Sequence, residues 1–373
     1  MSRALGGSAR RSRTGALPSL LLAALAGAAA CGAGPVPPAP AQAQDLLYVA
    51  SQDAATVVVI DMRARALDAT VDLVSLGFSP TSKPHHPAVE PDGSFWYVSL
   101  IADGKVLKFD RQNRLVGQID FETPGMLGLD PTSDLLYVGR SMAAVNPPQR
   151  VGVIDRTTMS LREVDVFFPR PHALAVDPSG GRFFSASLGQ NSVAWARIGE
   201  EEVDLLQLDS PMHHMLVQFA VSPDGRWMVG GGQMSGELLV FDLAGEEPTL
   251  ARSLPVGGQP WHPTWTPDGR FVWIPNQAAN TVSVIDAGSW TVAEVISHPA
   301  LVEPHGTAIS RDGGTVWVSS HNVAGSYRPA DGSDRRPGTV VAIDAASREV
   351  VAVIEVGEYA AGMATAAVAP AQR

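Results

Sequence analysis

The 373-residue chain has one cysteine, Cys31, so no intrachain disulfide can form and no CxxC zinc or redox motif exists. Charged residues make up only 17%, with an acidic excess that sets the net charge at −11. Beyond the first residues there is no Lys/Arg cluster. A phosphate backbone would be repelled, which argues against nucleic acid as a partner. The sequence contains no Gly-x-Ser-x-Gly elbow, phosphate loop, HExxH or dinucleotide fingerprint, so hydrolase, kinase and dehydrogenase readings have no footing. Its longest apolar stretch, 17–30, is too short and too rich in Ala and Gly for a stable transmembrane helix. What is abundant is 36 Gly and 29 Pro in a chain that is 45% hydrophobic, with eight Trp. That mixture suits many short strands joined by tight turns around a sizeable core.

Residues 1–30 read as an export signal: Arg3, Arg10, Arg11 and Arg13 precede the apolar stretch. Two cleavage sites compete. Ala28-Ala29-Ala30-Cys31 resembles a lipoprotein signal, with Cys31 becoming a lipid anchor. Ala41-Gln42-Ala43 fits ordinary small-x-small cleavage and would release a soluble chain. Residues 31–44, rich in Pro, Ala and Gln, form a tether. The expected location is therefore periplasmic, or on the outer membrane or cell surface as a lipoprotein, with membrane contact only through Cys31.

From residue 45 to 373 a unit of about 44 residues recurs. Each unit opens with a Pro-His-type dipeptide and a short apolar strand, then turns. The turns include Pro91-Asp92-Gly93, Pro223-Asp224-Gly225 and Pro267-Asp268-Gly269. Proline presets φ and glycine takes positive φ, which marks hairpins. Third strands such as Thr281–Asp286 alternate with period two and end at Asp61, Asp110, Asp155, Asp242, Asp286 and Asp344. These aspartates suit Asx turns. Four strands per unit make a blade. The first unit lacks its inner strand, which Gly362 to Ala367 would supply from the other chain end. The expectation is an all-β, seven-bladed β-propeller of four-stranded blades, closed by pairing of the N- and C-terminal strands.

Tyr48-Val49-Ala50-Ser51-Gln52 with 56–61, 273–277 with 281–286, and Pro304-His305-Gly306 with 316–319 resemble the consensus blade of the YVTN-repeat, YncE-like propellers. The resemblance spans 45–369 and implies the same fold. It says little of function, since such propellers serve unrelated roles.

Aligned on the turns, His85, His172 and His305 share one blade position, and His86 and His262 share the next. Both lie at the start of the innermost strand, which lines the central channel. Gln218 occupies the second position in the fifth blade, with His213 and His214 just upstream. His321 ends a second strand in the seventh blade, in register with Gln52, Gln233 and Gln277. Blades one and three carry Gly362-Met363 and Gly125-Met126, which would offer thioethers. Any single histidine is adequately explained as a polar channel residue. The set points to a metal, because His is scarce elsewhere and these converge on one mouth. Imidazoles without carboxylate or thiolate favour copper or zinc. More than four of them exceed a tetrahedral zinc site and favour copper, with room for more than one ion. The Pro-His starts are similar to those of the copper propellers of nitrous oxide reductase and thiocyanate dehydrogenase. That resemblance implies copper ligation by His85, His86, His172, His262 and His305, although no cupredoxin domain accompanies them. Lys83, Arg170 and Glu303, which directly precede the Pro-His pairs, and Arg140 at the end of a second strand are candidates for proton transfer or substrate capture. A copper oxidoreductase acting on a small molecule, with a periplasmic electron-transfer partner, is one reading. A non-enzymatic surface propeller for protein or glycan is the second, and a metal-dependent lyase or lactonase the third.

Overall fold

The computed structural model describes residues 45–200 and 202–366; the leader, the tether and Cys31 lie outside the described residues. Twenty-eight strands, from β1 (Leu46–Ser51) to β28 (Ala360–Thr365), form seven four-stranded antiparallel sheets. Blades two to seven take their strands in chain order over 84–120, 124–165, 171–207, 216–255, 264–297 and 304–356. Blade one combines 46–72 with β28, Val49 facing Met363 across the pair, so the two chain ends close the ring. β28 begins at Ala360, two residues ahead of the expected Gly362.

Successive strand residues point to opposite faces, and here each face meets another blade. Seven apolar clusters form, one between each pair of neighbours, including the seventh and first blades, where Trp317 and Val340 pack on Leu47 and Met363. The first three strands are therefore buried almost continuously, as in Leu135–Arg140, while outer strands such as Leu115–Asp120 alternate. The third-strand aspartates act as expected: Asp61 Oδ1 accepts the N–H groups of Arg63 and Ala64, and Asp155 those of Thr157 and Thr158.

Two backbone devices recur at the start of the inner strands. The residue before each, or in blade six before the Pro260 bridge to Asn276, is left-handed yet never glycine: Lys83, Thr123, Arg170, Met215, Gln259, Glu303 and Tyr359, with φ between +45° and +60°. Each costs of order 1 kcal/mol. Its carbonyl accepts the N–H of the residue after the second strand, which is Gln52, Ile101, Ser141, Leu188, Gln233, Gln277 or His321. The inner strand then bulges, with register shifts at Pro84/Pro87, Pro124/Leu127, Pro171/Ala173, Leu216/Phe219 and Pro304/Thr307. A bulge re-aims side chains that strict alternation would send to opposite faces. His85 and His86 sit inside one.

Candidate metal centre

Six imidazoles form one connected group. Ring centroids lie 6.3 Å apart for His172–His85, 6.0 Å for His85–His305, 4.3 Å for His305–His262, 4.6 Å for His305–His321 and 5.8 Å for His262–His86. Two imidazoles on one ion, with metal–nitrogen bonds of about 2 Å, place their centroids roughly 4.5–6.5 Å apart. Five of the six are buried, His172 completely, and His86 is half-buried. Desolvation holds every one of them below the ordinary imidazole value. His172 is lowered to about 4 and His86 and His321 to about 3; His85, His262 and His305 are held well below the ordinary value, with neighbouring imidazoles adding to the effect of burial. All six are neutral at pH 7, the form in which imidazole ligates.

A buried polar atom ordinarily finds a hydrogen-bond partner. Here Nε2 of His85, His172, His262 and His321 and Nδ1 of His305 have none. The opposite nitrogens of three of these rings are anchored. His172 Nδ1 donates to the Arg140 carbonyl at 2.7 Å, His85 Nδ1 meets Gln52 Oε1 at 3.2 Å, and His321 Nδ1 meets Gln277 Nε2 at 3.2 Å. One nitrogen held and the other left unpaired is how ligating histidines are oriented. Among the described residues no three His, Cys, Asp or Glu stand in ligating geometry.

Several expected members lie elsewhere. His213 and His214 do not join the group: His214 Nδ1 faces Glu237 Oε2 at 3.5 Å, and its main-chain N–H donates to Asn191 Oδ1. Both lie in the loop directly before Met215. The thioethers also go elsewhere, since Met126 and Met363 bury themselves in the inter-blade cores. Counting from Tyr359, blade one presents Ala361-Gly362, one residue off the expected register. Gly125 and Gly362 pack directly against neighbouring main chain. A Cβ on Gly125 would meet the Arg140 carbonyl oxygen at 2.7 Å, and one on Gly362 the His85 oxygen at 2.5 Å.

Of the charged candidates, only Lys83 is exposed. Arg140 is 2% exposed, pairs with Glu163, donates to the Glu122 carbonyl and lies 3.9 Å over the Phe121 ring. It serves the site through its own carbonyl. Arg170 Nη2 donates to the Met142 carbonyl at 3.0 Å, and Glu303 Oε2 accepts the Val323 and Ala324 N–H groups in the loop between the second and third strands of blade seven.

Aromatic neighbours went unnoticed in the sequence. Trp261 packs on His305 at 4.4 Å, and Tyr359 stacks on His321 at 3.8 Å. Tyr359 shares the register of Lys83, Arg170 and Glu303, which is the signal that would have found it. Trp261, Val217 and Leu188, with Met142 and Met215, form a separate apolar cluster beside the imidazoles.

The fold and this channel define a seven-bladed, imidazole-lined β-propeller. Residues 216–371 match the model of the YNCE-like beta-propeller family, as the blade consensus implied. No curated protein matches the chain. Solved structures match widely at low identity. A functionally unknown protein from Desulfotomaculum acetoxidans superposes with TM-score 0.69 at 13% identity, covering 86% of this chain and 98% of that one. A putative 6-phosphogluconolactonase from Bacteroides fragilis gives 0.66 at 12%, covering 88% and 99%. Hydrazine synthase of Kuenenia stuttgartiensis gives 0.59 at 18%, covering 74% and 87%. Dihydro-heme d1 dehydrogenase NirN gives 0.56 at 16%, covering 87% and 75%. At such identities the likeness is one of fold.

Proposed function

We propose that the imidazole group is a copper centre and that the chain is an exported copper-dependent oxidoreductase acting on a small molecule. The observation that carries this is the set of five buried imidazole nitrogens without partners, converging from blades two, four, six and seven. Each unpaired buried nitrogen costs roughly 1–3 kcal/mol unless something occupies it. A soft-to-intermediate cation fits a neutral nitrogen set, and copper outranks zinc on such sites in raw affinity. Zinc remains the alternative metal. The channel positions hold His, Gln, Trp and small residues where a lactonase or lyase reading would want carboxylates. The similar structures include a dehydrogenase, a synthase and a lactonase-like protein by name, so the fold leaves the chemistry to the site.

The test is copper content by elemental mass spectrometry of protein purified without chelator and then loaded with copper. A His172→Ala/His262→Ala/His305→Ala variant is the comparison. Stoichiometric copper in the parent and its loss in the variant support the centre. Oxidation of small sulfur or nitrogen compounds with an artificial electron acceptor is then the activity to assay. A parent that stays copper-free and zinc-free overturns it.

A second reading, a binding propeller for protein or glycan, draws on a different feature. Val145, Phe167, Met212, Met234 and Val323 are 51–86% exposed and all lie on loops of the mouth that carries the imidazoles. Pull-down of a specific ligand by the metal-free variant would favour it.

A further inference from the structure

The main chain fixes the tautomers of two of the six imidazoles, in opposite senses. The Arg140 carbonyl can only accept, so His172 carries its hydrogen on Nδ1 and keeps the Nε2 lone pair free. The Leu127 N–H can only donate, and its acceptor at 3.4 Å is His86 Nδ1. A neutral imidazole has one lone pair and one N–H. With its lone pair engaged, His86 has none for a metal and presents Nε2–H instead. Gln218 sits at the same blade position as His86 and is used alike: its Oε1 accepts the Leu174 N–H of blade four at 3.1 Å. Leu127 and Leu174 also share a register, so a polar side chain from an adjacent blade meets the same amide twice. His85 and His321 face the amides of Gln52 and Gln277, which can turn either oxygen or nitrogen toward a ring, so both remain free to ligate.

Charge adds a second constraint. Imidazole nitrogens bring no negative charge to a cation, and Glu303 is already engaged with loop amides and Glu163 with Arg140. A cation held there by neutral ligands alone would keep its full charge in a buried place, at a cost of several kcal/mol. An anion beside it would offset that cost.

We infer that His86 is not a ligand but the N–H donor of a small-anion position beside the metal, and that the molecule handled there is a small anion. This rests on the metal reading and deepens it.

Two measurements test it. In metal-free protein labelled with 15N-histidine, two-bond proton–nitrogen spectra report each tautomer. His86 is expected in the Nε2–H form and His172 in the Nδ1–H form, and an Nδ1–H His86 overturns the inference whether or not metal binds. In copper-loaded protein, azide is titrated and followed by its charge-transfer absorption. His86→Phe is expected to bind as much copper as the parent and azide about tenfold more weakly, the loss of one charge-assisted hydrogen bond. His86→Gln, which keeps an N–H donor, should recover most of that affinity. Copper lost from His86→Phe as fully as from His172→Ala, or azide affinity unchanged, overturns the assignment. A copper-free parent overturns the metal reading and the anion position with it, while the spectra still decide the tautomer.

Discussion

Burial decides the protonation of the imidazoles, and protonation decides what they can bind. In the unfolded chain a histidine takes its proton near pH 6.5. In the folded chain desolvation lowers His172 to about 4, and His86 and His321 to about 3. As pH falls below 6.5 the unfolded chain binds protons first. The stability is therefore fully present above pH 6.5 and drains away toward the folded values. Metal-free protein is expected to lose on the order of a few kcal/mol between pH 7.5 and 5, read from urea midpoints; equal midpoints at the two pH values would contradict this. Packing around the rings is equally tight. Gly362→Ala would push a Cβ against the His85 oxygen and to 2.9 Å from His86 Cδ2. It should cost about 1–3 kcal/mol in thermal or urea unfolding. An unchanged midpoint would mean that blades one and two are looser than described.

The inner strand is where sequence and structure part company. Repeats align on Pro, so the shared positions of His85, His172 and His305 and of His86 and His262 were readable from spacing alone. Blade one has Ala360-Ala361 where five of the other six blades carry Pro (blade five has Leu216), and without that marker its register reads one residue off. Nor does a sequence announce a bulge, which exists only once two strands pair. It frees main-chain groups, and serines of the second strand take them up. Ser99 Oγ accepts the His86 N–H at 3.1 Å and donates to the Gly125 carbonyl of the next blade at 2.7 Å; Ser319 does the same for Gly306 and Ala361. Ser99→Ala leaves both groups unpaired and should cost about 1–3 kcal/mol, with His86 resonances shifted more than those of His172. A neutral substitution would show that water or a shifted strand replaces the hydroxyl. His213 and His214 stand apart from the other imidazoles for a related reason: adjacency in sequence to a channel strand does not carry a residue past the left-handed turn at Met215.

At the scale of the molecule, the seven blades and their closure were evident from period and turn chemistry, because each blade buries both faces against neighbours and the repeat cannot drift. Closure joins β1 to β28 and seals the core between blades seven and one. Ending the chain at Gly357 removes β28 and exposes that seam. The shortened chain should lose cooperative unfolding, whereas a permutant that joins residue 366 to residue 45 and opens at Gly199 should keep a midpoint near the parent's. Cooperative unfolding of the shortened chain would mean the ring closes without that strand. Fold alone is silent on chemistry, and the function proposed rests on what the ring gathers at one mouth. X-ray absorption at the copper edge of the loaded protein tests that most directly. The account predicts a first shell of nitrogen with the outer-shell scattering of several imidazoles and no sulfur, lost in the His172→Ala/His262→Ala/His305→Ala variant. A sulfur or purely oxygen shell, or a spectrum the variant leaves unchanged, would contradict it.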